Sequence, residues 1–193
     1  MSINEYEKKM LLSKEEYNFY LKKFANLAIP RTNQYSPITQ VNYYYDNENY
    51  DLFKRSETLR IRQINDSMFL QRKMKKKYVK GISCCEETEV GIDFLPSKIV
   101  LDDCIYRYIG CLVTKRTNFS NDRAIVSLDE NIYLGVVDFE LEIDAKTPKE
   151  VNEYSKEFMS TTFQAWPKEH GKYSRFIRQL KKVNMQYNYK DAY

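Results

Sequence analysis

The sequence predicts a mainly β fold of the α+β class: an antiparallel sheet closed into a β-barrel, with flanking helices on its outer surface. Three observations carry this. Several segments alternate apolar with charged residues at the two-residue period of a strand, so each strand has one apolar and one charged face. The charge is sorted by strand, acidic at residues 5–7, 87–89 and 138–144 and basic at 60–62 and 73–75, whereas an ordinary solvated sheet face mixes signs and small polar residues. The helical segments have apolar stripes that need a cover, and the apolar strand faces are the natural partner. The charged faces then lie on the other side, and closing the sheet turns them into a polar lumen. A buried, unpaired ionised group is costly, so that lumen must hold water, ions or a charged ligand.

In chain order, Glu5, Glu7 and Lys9 project together from an N-terminal strand. Alone, this E-x-E-x-K reads as a solvated strand face; its recurrence downstream turns it inward. Ser13-Lys14-Glu15-Glu16 is a capping box, and Tyr17, Tyr20, Leu21, Phe24 and Leu27 follow at helical spacing, predicting an amphipathic helix over residues 14–26. Residues 30–37 read as a loop and Gln40 to Tyr45 as a strand, ended by the turn-forming Asp46-Asn47-Glu48-Asn49. Arg60 and Arg62 share one strand face; after a turn at Asn65-Asp66, Phe69, Gln71, Lys73 and Lys75 share a face of the next, giving a hairpin with one cationic side. Lys75-Lys76-Lys77 reads as a solvated turn. Glu87 and Glu89 are in phase within an extended piece, 86–90. A helix is predicted within residues 97–109, entered near Leu95-Pro96-Ser97 and ended by Gly110. Strands then span 111–118, 123–129 and 136–144, the last alternating Val137, Phe139, Leu141 and Ile143 with Asp138, Glu140, Glu142 and Asp144. Thr147-Pro148-Lys149-Glu150 opens a helix to about residue 162, and Tyr173, Phe176, Ile177 and Leu180 mark a final helix. Residues 1–181 read as one domain, followed by a loose, basic, Tyr-rich tail over 182–193.

The 193 residues suffice for a real core, and 17 Tyr and 10 Phe against 5 Gly and 5 Pro mark a folded chain. With 31 basic and 27 acidic side chains, the net charge of +4 is a small difference between large populations, so no general pull toward nucleic acid is implied. No run approaches the ~18 apolar residues of a membrane helix, and the N-terminus lacks an apolar signal region. We therefore expect a cytoplasmic protein with neither a membrane nor a nucleic-acid partner. Cys84, Cys85, Cys104 and Cys111 lack C-x-x-C spacing and read as reduced, small apolar residues. A single histidine, His170, makes a Ser/His/Asp triad or a His-rich metal centre a poor fit. Rows of Arg and Lys suit a polyanion, and rows of carboxylates suit hard divalent cations such as Mg²⁺ or Mn²⁺. A polyphosphate with its metal ions satisfies both.

The ordered motifs Glu5-x-Glu7-x-Lys9, Asn42-Tyr43-Tyr44-Tyr45-Asp46, Leu59-Arg60-Ile61-Arg62, Leu70-x-x-Lys73, Glu87-x-Glu89, Thr114-Lys115-Arg116, Leu128-Asp129, Phe139-Glu140-Leu141-Glu142 and Lys172-Tyr173-Ser174 resemble the CYTH domain of the triphosphate tunnel metalloenzyme superfamily. The resemblance covers residues 3 to about 180 and is greatest to the short single-domain bacterial branch. It implies an eight-stranded antiparallel tunnel and chemistry on a triphosphate that depends on one or two ions of Mg²⁺ or Mn²⁺. It further implies Lys9, Arg60, Arg62, Lys73, Arg116 and Lys172 as phosphate contacts, and Glu5, Glu7, Glu87, Asp129, Glu140 and Glu142 as metal ligands. Glu5, Glu7, Lys9 and Glu142 form the implied catalytic set. Cys84-Cys85 departs from the family pattern and leaves the phase of Glu87 against Glu89 open, and the order Lys172-Tyr173-Ser174-Arg175 leaves open which hydroxyl meets the ligand.

The activity this predicts is hydrolysis of inorganic tripolyphosphate or a small organic triphosphate such as thiamine triphosphate, with water attacking the terminal phosphoryl group in line. An adenylate cyclase making cyclic AMP and pyrophosphate from ATP would use the same phosphate site, but no motif demands a purine pocket. A non-catalytic polyphosphate or nucleotide-binding module would gain nothing from the carboxylates. Neither the preferred triphosphate nor assembly into a homodimer is fixed at this level. Lys115, out of phase with Arg116, and Asp138 and Asp144, at strand ends, are expected outside the site, with Tyr43 to Tyr45 as wall residues. Truncating Arg60 or Glu142 is expected to abolish turnover and leave the fold intact or stabilised, through relief of like-charge crowding.

Overall fold

The computed structural model describes residues 3–27, 36–79, 81–120, 123–158 and 171–190. Its elements are β1 (Ile3–Leu12), α1 (Lys14–Leu27), β2 (Ser36–Asp46), the single-turn α2 (Asp51–Lys54), β3 (Glu57–Ile64), β4 (Ser67–Val79), β5 (Ile82–Ile92), β6 (Lys98–Leu101), β7 (Cys104–Ser120), β8 (Ala124–Tyr133), β9 (Val136–Ala145), α3 (Pro148–Phe158) and α4 (Lys172–Lys190). The strands run antiparallel in the order β2-β3-β4-β5-β1-β9-β8-β7, and β7 pairs back onto β2, which closes an eight-stranded barrel. β6 is an extra strand on the projecting start of β7.

Two apolar clusters lie on the outside of the barrel. Tyr17, Tyr20 and Phe24 of α1 and Tyr154 of α3 cover Met10, Leu128, Leu141 and Ile143. The helix α1 starts at the expected capping box: the Ser13 amide donates to Glu16 Oε2 at 2.6 Å and the Glu16 amide to Ser13 Oγ at 3.2 Å. On the opposite flank, Leu52 of α2 and Tyr106 of β7 cover Leu59 and Ile61. A third cluster closes one end, where Tyr173, Phe176 and Ile177 of α4 pack on Tyr44, Leu112 and Tyr133, which share the lumen phase of their strands. Asp46, fully buried, ties this cap together by accepting from the Leu52 and Phe53 amides, each at 3.1 Å, and from the Tyr173 hydroxyl at 2.6 Å.

The helix predicted within 97–109 is instead a hairpin. Asp102 and Asp103 have φ of 51° and 60°, the double left-handed turn that joins two strands through two residues, and Leu101 pairs with Cys104 across it. Ile99, Leu101 and Tyr106 alternate onto the outer apolar cluster, so the period of two wins over helical spacing. Gly110 ends no helix; it sits at a bulge in β7 with φ +138°, and a Cβ there would lie 2.7 Å from the Phe176 ring. Most of the loop predicted over 30–37 lies outside the described residues, as do His170 and the end of the helix predicted to run to about 162; Ser36 and Pro37 belong to β2. The final helix continues to Lys190, through most of the stretch read as a loose tail. No described helix is long and apolar enough to cross a membrane, and the four cysteines are free.

Candidate active site

Strand alternation turns the charged strand residues of the predicted site to the inner face of the barrel, α4 adds Lys172, and the register sets opposite signs side by side. Lys9 lies across from Glu142, Lys73 from Glu87 and Arg116 from Asp129. The cavity they enclose has a volume of about 390 Å³ and is lined by Glu7, Lys9, Arg60, Arg62, Lys73 and Glu142, among others. Glu7 and Glu142 are buried in its wall; Asp129 and Glu140 are buried as well but are not among the residues that line it. Buried carboxylates persist only with partners, and each has them. Lys73 Nζ lies 2.9 Å from Glu7, 3.4 Å from Glu87 and 3.5 Å from Glu5. Lys9 Nζ lies 2.9 Å from Glu7 and 3.1 Å from Glu142 Oε2. Arg116 grips Asp129 with two 2.8 Å hydrogen bonds and reaches Glu142 Oε2 at 3.3 Å. Lys172, from the first turn of α4, lies 2.8 Å from Asp129, 3.2 Å from Glu142 Oε2 and against Glu140.

These contacts fix the protonation states. Burial raises the Glu7 carboxyl, but Lys73 and Lys9 overcome it and hold its pKa at about 2, against a rise from Glu142. Glu142 is likewise pushed up by burial and pulled well below the carboxylate range by Lys9, Lys172 and Arg116. Burial lowers Lys9 and Lys73, yet their carboxylate neighbours leave both raised. Arg62 is the contrasting case. Among the described residues no carboxylate lies within ion-pair distance of it; its Nε donates to Asn42 Oδ1 at 3.1 Å. Burial first, then Arg60 and Arg116, depress its pKa to about 9. Arg62, unlike Arg60 beside it, has no carboxylate at ion-pair distance among the described residues.

Several residues behave as the phase analysis expected. Lys115 points out to an exposed pair with Glu130 at 3.4 Å. Asp138 holds the end of the barrel together, accepting from the Tyr133 hydroxyl at 2.7 Å, Asn131 at 3.0 Å and Arg175 Nε at 2.9 Å. Glu87 faces the lumen through its contacts with Lys73 and with Arg60, 3.4 Å away. Three residues were missed. Asp144 lines the cavity, with Oδ1 buried and without a hydrogen-bond partner among the described residues; burial, Glu142 and Glu7 raise its pKa well above the usual range. Its phase, shared with Glu140 and Glu142, was the signal that could have found it. Tyr44, expected as a wall residue, lines the cavity with a fully buried hydroxyl that also lacks a partner among the described residues, near the charges of Arg60, Lys172, Arg62 and Arg175. Lys75, expected in a solvated turn, is exposed but borders the cavity.

Carboxylate oxygens converge at two places, Asp129–Glu140–Glu142 and Glu7–Glu142–Asp144, each set lying within 4.8 Å of one another. An all-oxygen donor set is the chemistry that hard cations take.

Fold and lumen together define a closed β-tunnel protein whose lumen is lined by cations and carboxylates set side by side. The sequence profile of the CYTH domain matches residues 4–177, and the chain belongs to this family. A Bacillus subtilis relative, YjbK, named as a candidate triphosphatase, is 26% identical over 153 residues, covering 73% of this chain and 77% of that protein. A crystal structure from Bacillus halodurans, described as a candidate adenylate cyclase, superposes with a TM-score of 0.68 at 25% identity, over 91% of this chain and 98% of that one. HpAC1 from Hippeastrum, described as a candidate adenylyl cyclase with a dominant triphosphatase activity, shares the fold with a TM-score of 0.69 at 21% identity, over 90% and 95% of the two chains.

Proposed function

We propose that this protein is a divalent-metal-dependent triphosphatase that hydrolyses inorganic tripolyphosphate or a small organic triphosphate at the terminal phosphoryl group. The observation that carries this is the shared lumen: Arg60, Arg62, Lys9 and Lys73 line one cavity with carboxylates that belong to two converging sets. A pure polyanion binder would be weakened by those carboxylates. The names of YjbK and of HpAC1 agree with it. The four free cysteines are compatible with a reducing, cytoplasmic setting.

Asp129, Glu140 and Glu142 fit a Mg²⁺ or Mn²⁺ ion by donor type and convergence. When bound, such an ion neutralises phosphoryl charge and makes water a better nucleophile. The remaining work falls to the chain. Arg60 and Arg62 offer planar forks to phosphoryl oxygens, and Lys9, Lys73, Arg116 and Lys172 act as further cationic contacts. The last four rest on carboxylates. A phosphate chain that draws these cations to itself leaves the carboxylates to the metal, so substrate and metal each favour the other. Glu7 and Glu142, held ionised, suit binding and orienting roles; their low pKa values unfit them for carrying a proton near neutrality. α4 covers one end of the lumen with an apolar cluster.

The test is incubation with Mg²⁺ or Mn²⁺ and tripolyphosphate, thiamine triphosphate or ATP, with product identification. Phosphate release from a triphosphate is the expected outcome. Cyclic AMP with pyrophosphate would make the protein a cyclase, and tight binding without turnover a binding module. Tyr44 offers a finer check. Its buried hydroxyl lacks a protein partner among the described residues and is surrounded by cations, which suits donation to a phosphoryl oxygen. Tyr44→Phe should raise KM for tripolyphosphate about tenfold, the effect of losing one hydrogen bond to a charged group, with the metal-free melting temperature unchanged or higher. An unchanged KM would remove Tyr44 from the site.

A further inference from the structure

We propose that Asn42 and Gln71 are positioning residues that hold Arg62 and Arg60 by their Nε atoms without neutralising them, so that both guanidinium ends stay available to a polyphosphate; this rests on the triphosphatase reading above. The barrel register sets these two arginines apart from the other lumen cations. Lys9, Lys73 and Arg116 each have a carboxylate directly across a strand pair: Glu142, Glu87 and Asp129. The arginines of β3 have amides there instead, with Asn42 of β2 across from Arg62 and Gln71 of β4 across from Arg60. Arg62 Nε donates to Asn42 Oδ1 at 3.1 Å, and Arg60 Nε donates to Gln71 Oε1 at 2.7 Å. Both amides are buried, 1% and 3% exposed, and stand behind the cavity wall, whereas both arginines line it.

A guanidinium carries its donors in a rigid planar fork, so fixing Nε fixes the plane in which the terminal nitrogens lie. The Gln71 anchor is itself oriented. Its Nε2 donates to the Glu89 carboxylate, and a flipped amide would set donor against the Arg60 N–H and oxygen against the carboxylate. The choice of amide over carboxylate decides what is left for a ligand. A carboxylate at either place would fix the fork as firmly, but it would form an ion pair with which an arriving phosphate must compete. A neutral amide supplies the geometry and leaves the charge, an arrangement that lowers the ordering cost of binding. Arg62 shows the result most clearly. Among the described residues it has no carboxylate at ion-pair distance, and burial, Arg60 and Arg116 depress its pKa to about 9, so an anion is the partner it lacks. Arg60 differs in one further contact, Nη2 to Glu87 at 3.4 Å.

Asn42→Asp keeps the shape of the anchor and adds a charge, which separates positioning from packing. The KM for tripolyphosphate is measured with Mn²⁺ in excess, or the dissociation constant by calorimetry where turnover is absent, and the melting temperature is measured in chelator. The two readouts should move in opposite senses. KM should rise at least about tenfold, the effect of losing one contact to a charged group, while the melting temperature rises because the buried Arg62 gains a counterion. Asn42→Leu and Gln71→Met remove an anchor without adding charge, and should raise KM while lowering the melting temperature. An unchanged KM in Asn42→Asp would overturn the proposal and leave the triphosphatase reading standing. A raised KM with a lower melting temperature in that variant, or failure of it to fold, would reduce Asn42 to a packing residue and overturn the proposal as well. A wild type that neither turns over nor binds tripolyphosphate would overturn the triphosphatase reading itself.

Discussion

Glu142→Gln should lower tripolyphosphate turnover by roughly 10³-fold, the upper range for one positioned electrostatic group, and should also lower the melting temperature of the metal-free protein. Glu142 Oε2 touches Lys9, Arg116 and Lys172 at once, and the carboxylate belongs to both converging sets. Glutamine keeps the shape and loses the charge, so the cations are left to compete for fewer partners and the metal ligands lose their shared member. The stability effect reverses the expectation drawn from sequence. Carboxylates do crowd Glu142, but the pull of its three cations exceeds both that repulsion and the burial penalty, which is why its pKa falls well below the ordinary range. An ionised Glu142 therefore favours the fold. Arg60 depresses Arg62 but also pairs with Glu87 at 3.4 Å, so its truncation removes a repulsion and an attraction together. Steady-state kinetics with excess metal and thermal melts in chelator check the two halves separately. Retained turnover would remove Glu142 from the site, and a raised melting temperature would show that crowding dominates.

The barrel was legible because its charge pattern is a local signal: alternation within each strand states the phase, and the single sign per strand states which faces must meet. Glu140 and Glu142 could be placed inward from eight consecutive residues of β9. Asp144 shares their phase, but that β9 still counts as barrel wall at that point is settled by its pairing with Glu7 of β1 and Ile125 of β8, which the strand's own sequence does not state. The role of Tyr44 was hidden for a similar reason. Its strand phase is plain, but its isolation beside the cations exists only once α4 has folded across the end of the lumen. The hairpin at 98–107 failed for a different cause. Its apolar residues satisfy helical and strand spacing about equally over so short a run, and Asp102-Asp103 is a less recognisable two-residue turn than one containing Asn-Gly. The identity of each ion pair was beyond reach, since barrel stagger decides which Lys meets which Glu.

The metal-free protein should lose stability as pH falls from about 4.5 toward about 2, and Glu7→Gln should remove a large part of that acid limb. Glu7 is buried between Lys9 and Lys73, each 2.9 Å from Oε2, and its pKa falls from 4.5 in the unfolded reference to about 2 in the fold. A carboxyl depressed in this way stabilises the fold fully above the unfolded value, because the unfolded chain there takes up a proton more readily than the folded one; the advantage disappears as pH falls through the folded value. At about 1.4 kcal/mol per unit, the contribution at neutral pH is on the order of 3 kcal/mol, shared with the neighbours to which Glu7 is coupled. Asp144 acts with the opposite sign. Burial and the charges of Glu142 and Glu7 raise its pKa, so the unfolded chain ionises first and Asp144 reduces stability as pH climbs above the ordinary carboxylate value. The acid limb is therefore not its doing. Urea midpoints measured in chelator between pH 2 and 7 should show the wild type above Glu7→Gln at pH 7 and the two curves converging near pH 2. Parallel curves would mean that Lys9 and Lys73 do not hold Glu7 in solution as they do here, and the charged lumen would then lose its strongest internal link between β1 and β4.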